Sequence, residues 1–476
     1  MGNIKKKLIQ NLKIRRKEML KGKSVIELTD VRTKEKEIYR DENLITNAVQ
    51  DIIRLNPSGL MYPLDNGPVE FKEEIFPIAS RLFGGILLFE NTLEEKSENI
   101  IPPSDNNIIG YASDNVNPSD DKLRGSANLN ETKPLENGYK FVWDFSTSQA
   151  NGRISSLALT HFRAGRFYYG NNFNRNACLY LNRTYCDTSV EQRRIYLGLV
   201  ECNPKENTFI SMWPRENKTL EIVKYKEAFS SIGLTDSIIG ARYQEVEKQV
   251  INLEEFFKSI FYWNRCCFYD GKDGYWYGFL NDEGSLVRRV KINKEDYSTQ
   301  FDEWHLKDIS LNSFGVFPRE DGYSIYRCIE SVLKDGYLYA ISSDKRIIYK
   351  MNANNPVDIS SIELGFKSDF SEGENTDIYM YQWGDFILGY DFTITKDDKV
   401  IKNYGKDYSG KPLKNIMTPT IEMGPFRIGY RASNETLYKY LYLHTPYLGT
   451  INNLSSPILK TADKTMKITY TLTEEE

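Results

Sequence analysis

The feature that most limits what this chain can fold into is a recurring hairpin phrase. In its clearest copy, Asp335-Gly336 supplies a turn signal. Tyr337, Tyr339 and Ile341 then alternate with Leu338, Ala340 and Ser342, the two-residue period of a strand. Ser343-Asp344-Lys345 turns the chain, and Ile347-Ile348-Tyr349 returns as the partner. A second copy runs from Asp273-Gly274-Tyr275-Trp276-Tyr277-Gly278-Phe279 through a turn at Asn281 to Gly284 and back along Leu286 to Ile292. A third starts at Trp383-Gly384-Asp385-Phe386-Ile387-Leu388 and is expected to return through Val400-Ile401. Ile195 to Val200, returning through Phe209 to Trp213, is read as a fourth.

One hairpin cannot bury both of its faces, so hairpins recurring along a chain imply units that stack on one another. Gly274 and Gly336 stand 62 residues apart, and Gly336 and Gly384 stand 48 apart. A propeller blade takes roughly 40–50 residues. The spacing therefore predicts a propeller-like body with loop insertions. A β-sandwich, or a mixed arrangement whose hairpins merely share turn chemistry, is the alternative.

At 476 residues the chain has room for two or three domains. With 62 basic and 66 acidic residues its formal net charge is −4, which gives no polycationic surface for nucleic acid. No apolar run approaches the roughly 20 residues of a membrane span. The longest, Phe83 to Phe89, reads as a buried strand, and the basic start lacks the apolar core of a signal peptide. Six cysteines (Cys178, Cys186, Cys202, Cys266, Cys267 and Cys328) lack CxxC spacing and are read as reduced, with a Cys178–Cys186 bridge as the alternative. None of the three histidines, His161, His305 and His444, lies near a cysteine pair, so no metal is expected.

Ile4 to Leu20 has a basic amphipathic pattern. Ile4, Leu8, Leu12 and Met19 lie on or near one stripe flanked by Arg15 and Arg16, with Gly22 expected to end the helix. These six residues are the attachment candidates; a helix packed on its own domain or lying on a membrane surface is the other reading. Ser24 to Asp30 reads as a strand with Glu37 to Arg40 as its partner, and Asn47 to Leu55 as a short helix. Gly138 to Phe145 and Arg153 to Phe162 are further strands, Leu253 to Ile260 a helical insert, and Leu437 to Leu443 and Met466 to Leu472 closing strands. The fold expected is all-β: a propeller-like repeat body inserted between the N- and C-terminal strands of a β-sandwich, with a short N-terminal helix. The segments are an attachment helix at 1–22, a β-rich attachment domain at 23–150, the repeat domain at 151–420 and closing strands at 421–476.

Catalytic motifs are not evident. The neighbouring carboxylates Asp120-Asp121 and Asp397-Asp398 point apart in a strand or turn, which argues against a shared acid–base site. Asp114 to Asp121 is rich in oxygen ligands for calcium but lacks the EF-hand glycine and final glutamate. Asp270 and Asp273 flank an aromatic run, yet each begins a turn signal that explains it without a substrate. Aromatic residues make up 13% of the chain. Flat amphipathic rings suit partner or sugar contact, so Tyr168, Tyr169, Tyr262, Trp263, Tyr275, Trp276, Tyr277, Tyr381 and Trp383 are the contact candidates, with core packing as the competing role. No cofactor and no enzymatic activity are expected.

Several phrases resemble structural proteins of the tail modules of phages and prophages of Gram-positive bacteria. They are Ser24 to Asp30 (SVIELTD), Glu42 to Ala48 (ENLITNA), Leu82 to Glu90 (LFGGILLFE), Ile101 to Asn106 (IPPSDN), Leu123 to Thr132 (LRGSANLNET), Asn137 to Gly152 and Lys460 to Thr473 (KTADKTMKITYTLT). The likeness covers roughly the first 160 residues and the last 20. It implies a tail-fibre or baseplate component of the virion, made in the host cytoplasm. Its implied partners are other tail proteins, further copies of itself, and a host cell-surface glycan or protein. A virion-associated glycan depolymerase and a purely structural tail or collar protein are the alternatives.

Overall fold

A computed structural model describes residues 20–49, 82–166, 178–186, 198–203, 206, 208–215, 217–228, 242–257, 267–283, 285–314, 328–368, 380–402, 420–433 and 436–474. The chain forms two compact units. One comprises Met1–Arg54, Lys72–Gly170 and Thr445–Glu476; the other comprises Leu55–Phe71 and Asn171–His444. Both are built almost wholly from strands.

The end unit holds β1 (Leu20–Asp30), β2 (Lys36–Ile45), β3 (Gly85–Phe89), β4 (Ile108–Ala112), β5 (Ser126–Ala127), β6 (Lys133–Leu135), β7 (Gly138–Phe145) and β8 (Gly152–Thr160). A one-turn helix α1 (Phe162–Arg166) and the last two strands, β31 (Thr450–Lys460) and β32 (Lys464–Glu474), complete it. The expected Ser24 to Asp30 hairpin is present, turning where the Asp30 carboxylate accepts the backbone N–H groups of Arg32 and Thr33, both at 2.8 Å. Its first strand begins at Leu20, so Gly22 lies inside β1 rather than ending a helix. β1 pairs along its length with β32, Leu20 opposite Glu474 and Asp30 opposite Lys464. All ten strands join one sheet, in the order β4-β3-β8-β31-β2-β1-β32-β7-β5 with β6 beside β7. The sheet nearly closes: Tyr111 at one end donates its N–H to Leu123 O (2.9 Å), and Gly125, just before β5, donates to Tyr111 O (2.8 Å). The N- and C-terminal strands thus enclose a shared core as parts of one curved sheet. Period-two alternation turns Ile26, Leu28, Met466, Ile468 and Tyr470 inward, while β3 is buried at all five positions.

The inserted unit is propeller-like, with five antiparallel sheets among the described residues, four of them four-stranded. The first holds β10 (Leu199–Asn203), β11 (Thr208–Pro214), β12 (Thr219–Ala228) and β13 (Arg242–Asn252). The second is built on β14 (Phe268–Asp270), β15 (Tyr275–Glu283), β16 (Leu286–Asn293) and β17 (Thr299–His305), with the short β18 (Ser313–Phe314) and β19 (Cys328–Ile329) added. The third is β20 (Ser331–Lys334), β21 (Tyr337–Ile341), β22 (Ile347–Asn352) and β23 (Asn355–Glu363). The fourth is β24 (Met380–Trp383), β25 (Phe386–Gly389), β26 (Phe392–Ile394) and β27 (Val400–Lys402). The fifth combines β28 (Thr420–Met423), β29 (Phe426–Ser433) and β30 (Thr436–His444) with β9 (Cys178–Cys186), a strand from the start of the unit. Phe426 to His444, read from sequence among the closing strands of the end unit, therefore belongs to the insert, because β30 finds its partner in β9.

The first strands of the sheets lie beside one another, β28 by β10, β10 by β14, β14 by β20 and β20 by β24. Hydrophobic layers fill the spaces between successive sheets. Met212, Ile222, Trp276 and Ile292 bridge the first and second, Phe279, Trp304, Leu338 and Met351 the second and third, and Ile341, Ile348, Ile387 and Phe392 the third and fourth. Gly274 (φ 89°), Gly336 (φ 78°) and Gly384 (φ 57°) each stand in the turn between first and second strands, as does Gly424 (φ 59°), which the sequence reading did not include. The expected repeat is real in these copies. The third differs in its return strand, which is β26, with Val400–Lys402 one strand further on. The fourth is a hairpin, but of first and second strands rather than second and third, so it is out of phase with the others. Of the helical insert expected at Leu253 to Ile260, residues 258–260 lie outside the described residues; Leu253 to Phe257 forms a single turn, Phe256 N and Phe257 N both donating to Leu253 O.

Candidate functional site

Antiparallel alternation places the first-to-second and third-to-fourth turns of every sheet at the same end. Among the described residues, two polar clusters between sheets lie there. At the first junction Lys294, following β16, donates to Glu201 Oε2 of β10 and Asp270 Oδ1 of β14, each at 2.7 Å. Trp276 Nε1 donates to the same Glu201 oxygen at 3.1 Å, and the ammonium lies 5.4 Å from the Trp276 ring centroid. Burial alone would lower the Lys294 pKa, but the hydrogen bonds it donates to Asp270 and Glu201 outweigh that and hold the group above the ordinary lysine value.

At the second junction Tyr277 OH donates to Asp273 Oδ2 (2.6 Å), and burial, reinforced by that carboxylate, pushes its pKa up to about 12. Asn354 Nδ2 donates to Tyr277 OH (3.1 Å), while Asn354 Oδ1 accepts from Arg289 Nη2 and Lys291 Nζ, both at 3.0 Å. Arg289 also pairs with Asp302, and burial lowers its pKa.

The two carboxylates weighed as acid–base candidates thus have structural partners. Asp270 Oδ1 accepts Lys272 N at 2.7 Å as well as Lys294, and Asp273 Oδ1 accepts Tyr275 N at 3.2 Å, the turn role the sequence suggested. The oxygens of the Asp114 to Asp121 loop are similarly engaged. Asp121 Oδ1 accepts Leu123 N (2.8 Å), its other oxygen accepts Tyr111 OH, and Asn117 Oδ1 accepts Ser119 N (2.9 Å). Among the described residues no three His, Cys, Asp or Glu side chains converge as a metal site would need.

The contact candidates fare differently from expectation. Trp276 (2% exposed), Tyr277 (1%), Tyr381 (5%) and Trp383 (0%) are interior. Trp383 stacks on His444 with ring centroids 4.2 Å apart. Alternation puts Trp276 and Tyr277 on opposite faces of β15, but the first and third sheets cover those two faces, so both rings are buried. Only Tyr275 is part-exposed, with Lys291 Nζ 4.0 Å from its ring centroid. Tyr168, Tyr169, Tyr262 and Trp263 lie outside the described residues, as do Ile4, Leu8, Leu12, Arg15, Arg16 and Met19. His161 is buried, its Nδ1 accepting Arg163 N at 3.2 Å. The sequence reading missed Glu201, Lys291, Lys294 and Asn354, and also Lys350, which donates to Asp398 Oδ2 at 2.8 Å; Asp398 itself was weighed only as half of an adjacent carboxylate pair. A signal existed for two of them: Lys291 and Lys350 occupy matching places in the return strands of the two clearest repeats.

No protein-family model matches the chain, and no curated protein does. Among solved structures it is similar to apo AztD from Citrobacter koseri, at 11% identity and a TM-score of 0.25 over 61% of this chain and 62% of that one. It is also similar to lmo1340 of Listeria monocytogenes EGD-e, at 8% identity and a TM-score of 0.21 over 54% and 64% of the two chains. A prolyl endopeptidase matches at 7% identity and a TM-score of 0.23 over 70% of this chain and 50% of that one. The chain thus spans less than two thirds of each, and likenesses at these TM-scores carry no argument about it.

Proposed function

We propose that this chain is a virion tail component, a tail-fibre or baseplate protein that attaches through its end unit and uses the propeller-like insert as a non-catalytic binding body. The observation that carries the reading is where the tail-protein phrases fall. Ser24 to Asp30 lies in β1, Leu82 to Glu90 covers β3, Asn137 to Gly152 covers β7, and Lys460 to Thr473 covers nearly all of β32. Segments more than 300 residues apart in the chain share one sheet, as a single attachment module would require. Binding rather than cleavage is favoured because the carboxylates beside the aromatic run already serve turns and ion pairs; a glycosidase needs one of its pair held protonated in a cleft.

The test is to recover phage particles from a strain carrying the gene, separate tails and identify their proteins by mass spectrometry. The chain is expected in the tail fraction, and the purified protein is expected to bind host envelope while releasing no new reducing ends. Its absence from particles would refute the assignment. Sustained sugar release, lost in Asp270→Asn or Asp273→Asn, would instead make it a depolymerase.

A further inference from the structure

The third-to-fourth turn of three successive sheets is tied to the sheet before it. In the second sheet this turn is Lys294 to Ser298. Lys294 pairs with Glu201 of the first sheet at 2.7 Å, and Tyr297 OH donates to Glu247 of β13 at 2.6 Å. In the third sheet it contains Asn354, which receives Lys291 of the second sheet at 3.0 Å. In the fourth it contains Asp398, which receives Lys350 of the third at 2.8 Å. The last two cases are superposable in sequence logic. Lys291 stands opposite Tyr277 in the strand register, and Lys350 stands opposite Tyr339. Each ammonium lies near two tyrosine rings of the preceding strand: 4.0 and 5.4 Å from Tyr275 and Tyr277, and 5.3 and 5.5 Å from Tyr337 and Tyr339. These tyrosines follow Gly274 and Gly336 at the same offsets.

We propose that these contacts are a repeated clasp, in which a ring-backed lysine pins the third-to-fourth turn of the next sheet and sets how readily neighbouring sheets part. The Asp-Gly-Tyr-x-Tyr phrase would then encode more than a hairpin, because its two rings prepare the lysine that joins one repeat to the next. Burial works against the charge on Lys350, but the Asp398 and Tyr339 hydrogen bonds prevail and hold its pKa up, as a clasp in use at neutral pH requires.

The test is hydrogen exchange by mass spectrometry on the full-length chain, with Lys350→Met, Asp398→Gly and the double variant; glycine suits the positive φ (58°) of this position and removes the acceptor, which asparagine would keep. Each single change is expected to speed exchange in β26 and β27 by roughly threefold to tenfold, the double no more than the larger single, with the β10–β13 sheet unchanged. Singles that leave β26 and β27 at the wild-type rate, singles whose effects multiply in the double, or acceleration spread evenly over all sheets would each overturn the clasp. Should Lys350→Met not fold, Asp398→Gly, which fits the turn's positive φ, decides alone by the same local readout.

Discussion

At the scale of single residues, Lys460 departs from ordinary surface chemistry. It closes β31 with 1% exposure, and its ammonium donates to Asn151 Oδ1 at 2.8 Å and Thr147 O at 3.4 Å, both neutral acceptors. Burial lowers its pKa to about 8, with Asp463 opposing weakly. The folded value lies below the ordinary 10.5, so between about pH 8 and 10.5 the unfolded chain holds a proton that the folded chain has released. Stability contributed by this group therefore rises with pH across that window and is lowest below it. Comparison with Lys460→Met isolates the effect, since other titrations are shared. The melting temperature of the wild type minus that of the variant is expected to grow by a few degrees, roughly, from pH 7 to 10. A difference that stays flat, or shrinks, would show that the ammonium is better solvated than its surroundings imply.

At the scale of elements, the glycines separate two roles that a sequence displays alike. Asp335 (φ 50°) and Gly336 (φ 78°) form a two-residue turn with both φ angles positive, the geometry that matches strand twist in a tight hairpin. A Cβ on Gly336 would meet nothing within 4 Å, so Gly336→Ala is expected to cost only backbone strain, about 1–2 kcal/mol. Gly389 ends β25 without positive φ, but a Cβ there would sit 2.2 Å from the ring of buried Phe392. Gly389→Ala should therefore cost more, about 1–3 kcal/mol with repacking of the layer between the third and fourth sheets. Denaturant unfolding of the two variants checks the order, and a reversal would mean that backbone strain in the turn, not the close packing at Gly389, is the stronger constraint. The hairpins themselves were legible because Asp-Gly and period-two alternation are local signals. The rest of each sheet was less so: β26 is three residues long and fully buried, which leaves no alternation to read, and β9 belongs with β30 through pairing across more than 250 residues. The aromatic runs misled for a related reason. Alternation says which rings share a face but not whether a neighbouring sheet covers that face. The polar clusters were invisible because Glu201 meets Lys294, and Asn354 meets Arg289, only once separate sheets are stacked.

At the scale of the whole molecule, one fold accepts another inside it. Apart from Leu55–Phe71, the chain leaves the end unit once, after α1, and returns just before β31, and the strands β8 and β31 that flank this departure and return pair directly. Thr160 Oγ1 donates to Thr445 O at 2.9 Å and Gly449 N to Leu159 O at 2.7 Å, so departure and return are adjacent and the insert demands no strain at its roots. The pairing of β1 with β32 and of β7 with β32 likewise uses no residue of the insert. It follows that replacing residues 171–444 by a short Gly/Ser linker should leave the end unit folded. Trp143 is the one tryptophan that survives the replacement, which makes fluorescence a direct report. It is 1% exposed and its Nε1 donates to Ser113 O at 2.8 Å, inside the nearly closed sheet. The shortened protein is expected to show blue-shifted emission, a β-type circular dichroism spectrum and one cooperative thermal transition. Solvent-exposed emission without a transition would mean that the end strands depend on the insert for their stability, and that the two units fold as one.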